Sequence, residues 1–551
     1  MIYNRRLKWV AITVTILFVL LSARLFYFQV IQNQALLQQV TRQRSMDTIL
    51  KVTRGNIYDR NMIPFTDRED KVYIIIIPNL LEEPTEVIEA LSELTGYTVE
   101  KIQETLEQRK PVTFIIDGYS KKEVEDKINH PAIKVISLSK RYSNDSLARH
   151  IIGYINPVDQ GGYYGVEKAF DQYLAIQRPQ SIGMIGDAVK RSIPGLGYRV
   201  VNSFGNMEDN GVRLTLDYHI QSIIEDVINP QMDSGAVVVT EIKTGNIMAL
   251  ASRPNYMQYD IESHIHSQGD ELLNKALSAY DAGSIFKIIV SAAALEEKVV
   301  DLNTVFHCTG YIDVDERQIS CHKIEGHGGQ TFIQGFANSC NPVFIDIGLK
   351  LGYKPIINMA KRFGFGTAIS LFDDIQQSSG NLPETKYVSP GDIANISIGQ
   401  GEMLVTPLQV ADMVTTIANN GVRKKLNIVD SIVTDMGNTV KQISHEEDVR
   451  VIDEDIAKKI QRMMAEVTIS GTGKQANLEE YGGIAGKTGS AETGWIEEGN
   501  AKVHAWFIGY FPVENPQYAM VVFVEDGRQG GKTAVPIFRE AAERILQLNY
   551  K

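Results

Sequence analysis

The sequence predicts an α/β (α+β) protein: one large domain in which helices sandwich a sheet, a smaller α+β domain before it, and a single transmembrane helix. Three observations predict this. The chain has 551 residues, 44% hydrophobic and 22% charged, enough apolar material for two or three full-sized cores. An almost unbroken apolar run lies close to the amino terminus. Beyond residue 213, short strands alternate with Ala- and Ile-rich helical stretches, and the first and last strands of that half are expected in one sheet.

The apolar run, Trp9 to Ala23, follows Arg5, Arg6 and Lys8. Arg24 interrupts it, and Leu25 to Val30 extends it with aromatic residues. About 20 such residues span a bilayer, provided Arg24 snorkels to the interface. The basic cluster in front places the amino terminus in the cytoplasm and the body outside. Apolar residues continue past Leu21-Ser22-Ala23, the one small-residue site. That favours an uncleaved anchor over a cleaved signal peptide or a buried core helix. The expected division is a cytoplasmic tail over 1–8, an anchor over 9–31, a smaller domain over 32–212 and the main domain over 213–551.

Gln32 to Asp47 reads as a polar helical stalk. Val72 to Ile77 is a buried strand, Glu82 to Leu94 and Glu100 to Gln108 have helical spacing, and Val112 to Ile116 returns to strand. No catalytic cluster stands out up to about residue 210, which favours a spacer or assembly domain. Leu214-Thr215-Leu216-Asp217 is a strand entering a helix. Ser234 to Thr240 and Asn246 to Ala251 flank the turn Lys243-Thr244-Gly245. Ala505 to Tyr510 and Tyr518 to Val524 are the last strands, and Val535 to Leu548 is a closing helix.

A net charge of -12 without a basic block excludes a nucleic-acid binder. Three cysteines, Cys308, Cys321 and Cys340, are too few for a disulfide-built exported fold. His307, His322 and His327 lie near the first two, so zinc is the sharper reading. The spacing fits no familiar zinc pattern, however, which favours free thiols or one Cys308–Cys321 disulfide. No metal and no organic cofactor are expected.

The segment that points to chemistry is Gly283 to Leu295. Its aliphatic run is apolar on nearly every side, as in a core helix, yet its first turn carries Lys287 three residues after Ser284. Burial lowers a lysine pKa, and a neutral amine beside a hydroxyl is what an activated serine needs. Ser-x-x-Lys also occurs at Ser137/Lys140 and Ser320/Lys323, but only the middle copy opens a buried helix. Ser339-Cys340-Asn341 follows at a helix end, and Lys487-Thr488-Gly489 follows where a strand begins. Both have decoys, at Ser379/Asn381 and at Lys243-Thr244-Gly245.

Ser-x-x-Lys, Ser-x-Asn and Lys-Thr-Gly in this order resemble the signature set of penicillin-binding proteins and serine β-lactamases. The anchor and Arg54-Gly55-x-Ile57-x-Asp59-Arg60 are similar to the opening of the class B, monofunctional penicillin-binding proteins, whose non-catalytic pedestal would fill 32–212. His150 to Tyr154, Gly165-Val166-Glu167, Leu214 to Asp217, Gly399-Gln400-Gly401, Thr406 to Gln409 and Trp506-Phe507-x-Gly509-Tyr510 match as well. The resemblance covers nearly the whole chain. It implies a transpeptidase fold and acyl transfer on the D-Ala-D-Ala bond of peptidoglycan stem peptides, with acylation by β-lactam antibiotics. Ser284 would be the nucleophile and Lys287 its base. Ser339 would relay a proton, Asn341 would bind donor backbone, and Lys487 would supply positive charge. Thr488 would bind the terminal carboxylate, with Gly489 and Ser490 completing the substrate site. The N–H groups of Ser284 and Ser490 would form the oxyanion hole. A polytopic membrane glycosyltransferase is the implied partner.

Ala282 and Ile285 depart from the proline and threonine usual around the nucleophile, and Cys340 stands where serine is common. A β-lactamase would share the serine, but no Glu-x-x-x-Asn loop follows Asn341. A catalytically weak scaffold or sensor is the other alternative. His445-Glu446-Glu447-Asp448-Val449 lacks the second histidine of the metalloprotease through which sensors of this fold signal.

Overall fold

The computed structural model describes residues 2–32, 45–76, 84–107, 112–130, 132–156, 160–175, 178–185, 198–202, 210–267, 269–372, 377–383, 387–443, 447–497, 500–527 and 530–549, with positions 78, 81 and 375. Helix α1, Ile2–Phe26, continues through a π turn over Tyr27–Ile31. Within it, Leu7–Gln29 has a mean hydropathy of 2.1 and is wholly exposed, which fits a single-pass membrane anchor. Most of the expected stalk lies outside the described residues. Its last three residues, Ser45-Met46-Asp47, instead open a strand, Ser45–Thr53.

Two compact units form, and they do not follow a single cut in the chain. The first contains residues 1–54, 70–140 and 177–207; the second contains 55–69, 141–176 and 208–551. The expected boundaries at 32–212 and 213–551 therefore do not divide the compact units. The physical reason is a set of buried polar contacts within the second unit. Arg141 donates to Glu167 Oε1 at 2.8 Å, to Asp67 Oδ2 at 2.7 Å and to the Gly55 carbonyl at 2.9 Å. Glu167 is completely buried and also accepts from the Tyr142 hydroxyl at 2.8 Å. Asp59, equally buried, accepts from the backbone of Asn61, Ile63 and Tyr218. The signature residues of the early segments thus satisfy one another and the main sheet domain, as buried charge requires.

In the first unit, Glu69–Ile76 is the middle strand between Val112–Ile116 and Ile133–Lys140. The helices Pro84–Thr95, Val99–Leu106 and Lys121–Lys127 share its core of Ile74, Ile76, Leu91, Ile102, Phe114 and Val124. Ser45–Thr53, Arg178–Ile185 and Tyr198–Asn202 form a second, antiparallel sheet.

The second unit begins its main part with helix α2, Tyr218–Ile228, capped by Asp217. Strands β1, Gly235–Glu241, and β2, Ile247–Arg253, form the expected hairpin, with Gly245 at φ 74° in its turn. Helix α3, Lys287–Glu296, is buried on almost every residue. The hairpin β3, Tyr311–Val314, and β4, Arg317–Ser320, leads to helices α4, Phe332–Ala337, and α5, Asn341–Leu351. Then come α6, Pro407–Ala418, α7, Glu454–Ile469, β5, Ala485–Glu497, β6, Asn500–Phe511, β7, Tyr518–Val524, and α8, Gly530–Asn549.

The five-stranded sheet runs β2-β1-β7-β6-β5, so the hairpin from the start of the domain pairs with strands from its end. One apolar cluster includes α3, α6, Trp506 and Phe523; the other joins α2 and α8 through Val237, Phe507, Val522 and Phe538. The alternating residues of β1 (Val237 and Val239 against Ala236 and Val238) divide between the two clusters, the pattern of a sheet covered on both faces.

Candidate active site

Gly283–Phe286 is a 3-10 turn that runs directly into α3. Residues i and i+3 eclipse in such a turn, which puts Ser284 and Lys287 on one side. The turn packs against β5, the edge strand of the sheet. A side chain on Gly283, at φ 55°, would meet the Ser490 carbonyl at 2.6 Å, so only glycine allows the approach. Gly399 closes the turn from behind: its carbonyl accepts from Gly283 N–H at 2.8 Å, and a Cβ there would lie 2.0 Å from the Gly283 oxygen. Trp506 Nε1 donates to the Asp281 carbonyl at 3.1 Å and fixes the strand that enters the turn. Gly399 and Trp506 thus hold the backbone on the amino-terminal side of Ser284, at Gly283 and Asp281. Ala282 and Ile285, the two departures around Ser284, are both buried.

Lys287 is fully buried, and its ammonium position is saturated with acceptors. It donates to Asn341 Oδ1 at 2.7 Å, to the Ser339 carbonyl at 2.8 Å and to Ser339 Oγ at 3.3 Å. Burial pushes its pKa down to about 7, with Cys340 and Cys321 pulling the other way. Lys487, also fully buried, donates to Ser339 Oγ and to the Thr488 carbonyl, both at 2.9 Å. Burial, and then repulsion from Lys287, hold its pKa well below the ordinary lysine range.

Ser339 reaches both lysines because it ends α4 in the left-handed region, at φ 51°. A non-glycine residue held there stores strain of order 1–3 kcal/mol, a frequent feature of functional sites. Thr488 is buried on β5, and its hydroxyl lies 2.6 Å from that of Thr472. Gly489 is buried beside it, while Ser490 is exposed and its Oγ accepts from Gly530 N–H at 3.1 Å. Ser284 is half-buried, and among the described residues its hydroxyl makes no hydrogen bond. The structure therefore gathers Lys287, Ser339, Asn341, Lys487 and Thr488 into one cluster, with Ser284, Gly489 and Ser490 on its rim. Two of the decoy motifs stay apart: Ser137 and Lys140 lie on a strand of the first unit, and Lys243-Thr244-Gly245 is the β1–β2 turn. Ser320 of a third lies beside the cluster, where its carbonyl accepts from Asn341 Nδ2 at 3.3 Å.

Of the two alternatives expected for the cysteines, free thiols or a Cys308–Cys321 disulfide, the structure has the free thiols: all three are unbridged and buried. Cys340 is fully buried. Its sulfur, those of Cys308 and Cys321, and a ring nitrogen of His327 all lie within 4.8 Å of one another. Cys321 Sγ is 4.0 Å from Cys340 Sγ and 3.6 Å from His327 Nδ1. A tetrahedral zinc site with Zn–S of about 2.3 Å and Zn–N of about 2.0 Å sets its ligands roughly 3.5–3.8 Å apart, so three thiolates and one imidazole in this arrangement fit such an ion. Cys340 lies between Ser339 and Asn341, so the same loop carries cleft residues on one side and this cluster on the other. The sequence reading groups Cys308, Cys321 and His327 as neighbours; Cys340, the residue before α5, is missing from it. Thr472 was missed as well; Ser470-Gly471-Thr472-Gly473 carries no signal beyond a turn after a helix.

The arrangement defines a serine-lysine acyltransferase site on a sheet edge, and the chain belongs to the penicillin-binding protein transpeptidase family. Residues 235–543 match the penicillin binding protein transpeptidase domain, and residues 49–182 match the penicillin-binding protein dimerisation domain. Stage V sporulation protein D of Bacillus subtilis is 29% identical over 97% of this chain and 84% of its own. Peptidoglycan D,D-transpeptidase FtsI of Escherichia coli is 26% identical over 76% of this chain and 69% of its own. The fold is shared with the D,D-transpeptidase domain of a peptidoglycan glycosyltransferase from Eggerthella lenta, with a TM-score of 0.64 and 23% identity over 90% of this chain and 99% of that one.

Proposed function

We propose that the protein is a membrane-anchored D,D-transpeptidase that cross-links peptidoglycan stem peptides through an acyl-enzyme on Ser284, and that β-lactams acylate the same serine. The observation that carries this reading is Lys287: a fully buried amine with its pKa brought down to about 7, one helical turn from an accessible serine hydroxyl. As the neutral amine it donates its two N–H bonds to Asn341 Oδ1 and the Ser339 carbonyl. Its lone pair then takes the Ser284 proton as Oγ attacks the carbonyl carbon of the D-Ala-D-Ala bond. The N–H groups of Ser284 and Ser490 hold the developing oxyanion. Collapse breaks the C–N bond, and the proton passes from Lys287 through Ser339 Oγ to the departing D-alanine amine. A stem-peptide amine from a neighbouring strand then attacks the ester, forms the cross-link and restores Ser284. Lys487 donates to Ser339 Oγ and the Thr488 carbonyl and so holds the relay hydroxyl in place, and Thr488 receives the terminal carboxylate.

The basic residues before Trp9 support a cytoplasmic amino terminus and a catalytic unit outside the membrane. A polytopic membrane glycosyltransferase would supply the glycan strands. Labelling of the full-length protein in detergent with a fluorescent penicillin tests the reading. A stable adduct lost in Ser284→Ala supports it, rapid turnover of the drug points to a lactamase, and no adduct in the wild type overturns it.

A further inference from the structure

Thr472 lies outside the three motifs, in the turn after α7, yet its hydroxyl is hydrogen-bonded to the Thr488 hydroxyl. The two Oγ1 atoms are 2.6 Å apart, and Thr472 itself is exposed toward solvent while Thr488 is buried. The Thr472 backbone N–H donates to the Ala337 carbonyl at 3.1 Å, and its hydroxyl lies 3.4 Å from the same oxygen. Ala337 ends α4, two residues before Ser339. Thr472 therefore ties the end of α4 to the start of β5 at the mouth of the cleft.

We infer that Thr472 is a positioning residue for recognition of the substrate's terminal carboxylate, acting by setting the direction of the Thr488 O–H bond. The inference rests on the transpeptidase reading. Each hydroxyl has one proton, so the pair has two arrangements. In the empty site Thr488 donates to Thr472 and Thr472 donates to the Ala337 carbonyl, and every proton is used. When a carboxylate arrives, Thr472 turns to donate to Thr488 Oγ1, and the Thr488 proton is released to the carboxylate. A hydrogen bond to a charged group is about twice as strong as a neutral one, which favours the second arrangement in the complex. Thr472 thereby occupies the Thr488 lone pair and leaves the proton aimed at the ligand.

The test compares Thr472→Val, which keeps shape and removes the hydroxyl, with Thr472→Ser, which keeps the hydroxyl. Two depsipeptide thioesters serve as probes, one ending in a free carboxylate and one in a carboxamide. The expected result is that Thr472→Val lowers kcat/KM for the carboxylate probe roughly tenfold. It leaves the carboxamide probe unchanged, so the preference collapses, while Thr472→Ser retains it. An equal loss on both probes would show a merely structural threonine and overturn the inference, as would an unchanged preference. Penicillin labelling of the wild-type protein is read in parallel. If the wild type labels and Thr472→Val keeps its preference, this inference fails alone; if the wild type does not label, the transpeptidase reading fails with it.

Discussion

Lys287 and Lys487, both completely buried, meet at one hydroxyl: Ser339 Oγ lies 3.3 Å from the first Nζ and 2.9 Å from the second. Two ammonium ions cannot share so small a dry space without large repulsion, so burial drives at least one lysine to the neutral amine. On the proposed mechanism, the hydroxyl between them carries a proton from the nucleophile side of the cleft to the leaving-group side.

Ser339→Ala removes that route while leaving Ser284 and Lys287 in place. Acylation by penicillin is expected to fall about 10²–10⁴-fold, the range for loss of a positioned proton carrier. Stopped-flow measurement of the second-order acylation rate checks this. A loss under threefold would mean that the proton travels another way.

The acylation rate is also expected to depend on pH with one ascending limb. On the proposed mechanism Lys287 takes the proton only as the neutral amine, and its pKa is brought down to about 7 from 10.5. The rate should rise about tenfold per unit below pH 7 and level off above it. The sign for stability follows from the same shift. Between about pH 7 and 10.5 the unfolded chain binds the proton that the folded one has lost, so the contribution of Lys287 to stability rises across that window. Denaturant midpoints of wild type and Lys287→Met should converge as the pH is raised; a constant gap would argue against a buried neutral amine.

The cluster of Cys308, Cys321, Cys340 and His327 should bind one Zn²⁺ per chain with release of thiol protons. The three thiols should react with a thiol reagent after chelation and be protected when zinc is added to the native protein. His327→Ala should weaken this protection. Three thiols that react identically with and without zinc would rule the ion out.

Arg141 is the hub of a buried ion network with Glu167 and Asp67. Removing one partner leaves an uncompensated buried charge, so Glu167→Ala should cost about 3–5 kcal/mol of stability. Thermal unfolding of the full chain reads this. An unchanged Tm would mean that the network does not hold these early segments of the second unit together.

Much of the site was legible before the structure. Local physics marks Ser284 and Lys287, a lysine in the first turn of an apolar helix, while Ser-x-Asn and Lys-Thr-Gly stood out through their order after Ser284 and the family resemblance it carries. The sheet order was legible in part, since the buried runs Ala505 to Tyr510 and Tyr518 to Val524 have nowhere to lie but beside the opening hairpin. What was not legible depends on tertiary closure. No periodicity tells that 55–69 and 141–176 join the second unit, since single buried charges such as Glu167 and Asp59 look like surface residues in sequence. Cys340 meets Cys308 only because α4 turns back at Ser339, and Thr472 meets Thr488 only because α7 ends above β5.

The most direct test of the account is tandem mass spectrometry of the full-length protein after reaction with benzylpenicillin. The account predicts a single penicilloyl group, located on Ser284 and absent in Lys287→Met under the same conditions. An adduct on any other residue, or equal acylation of Ser284 without Lys287, would contradict it.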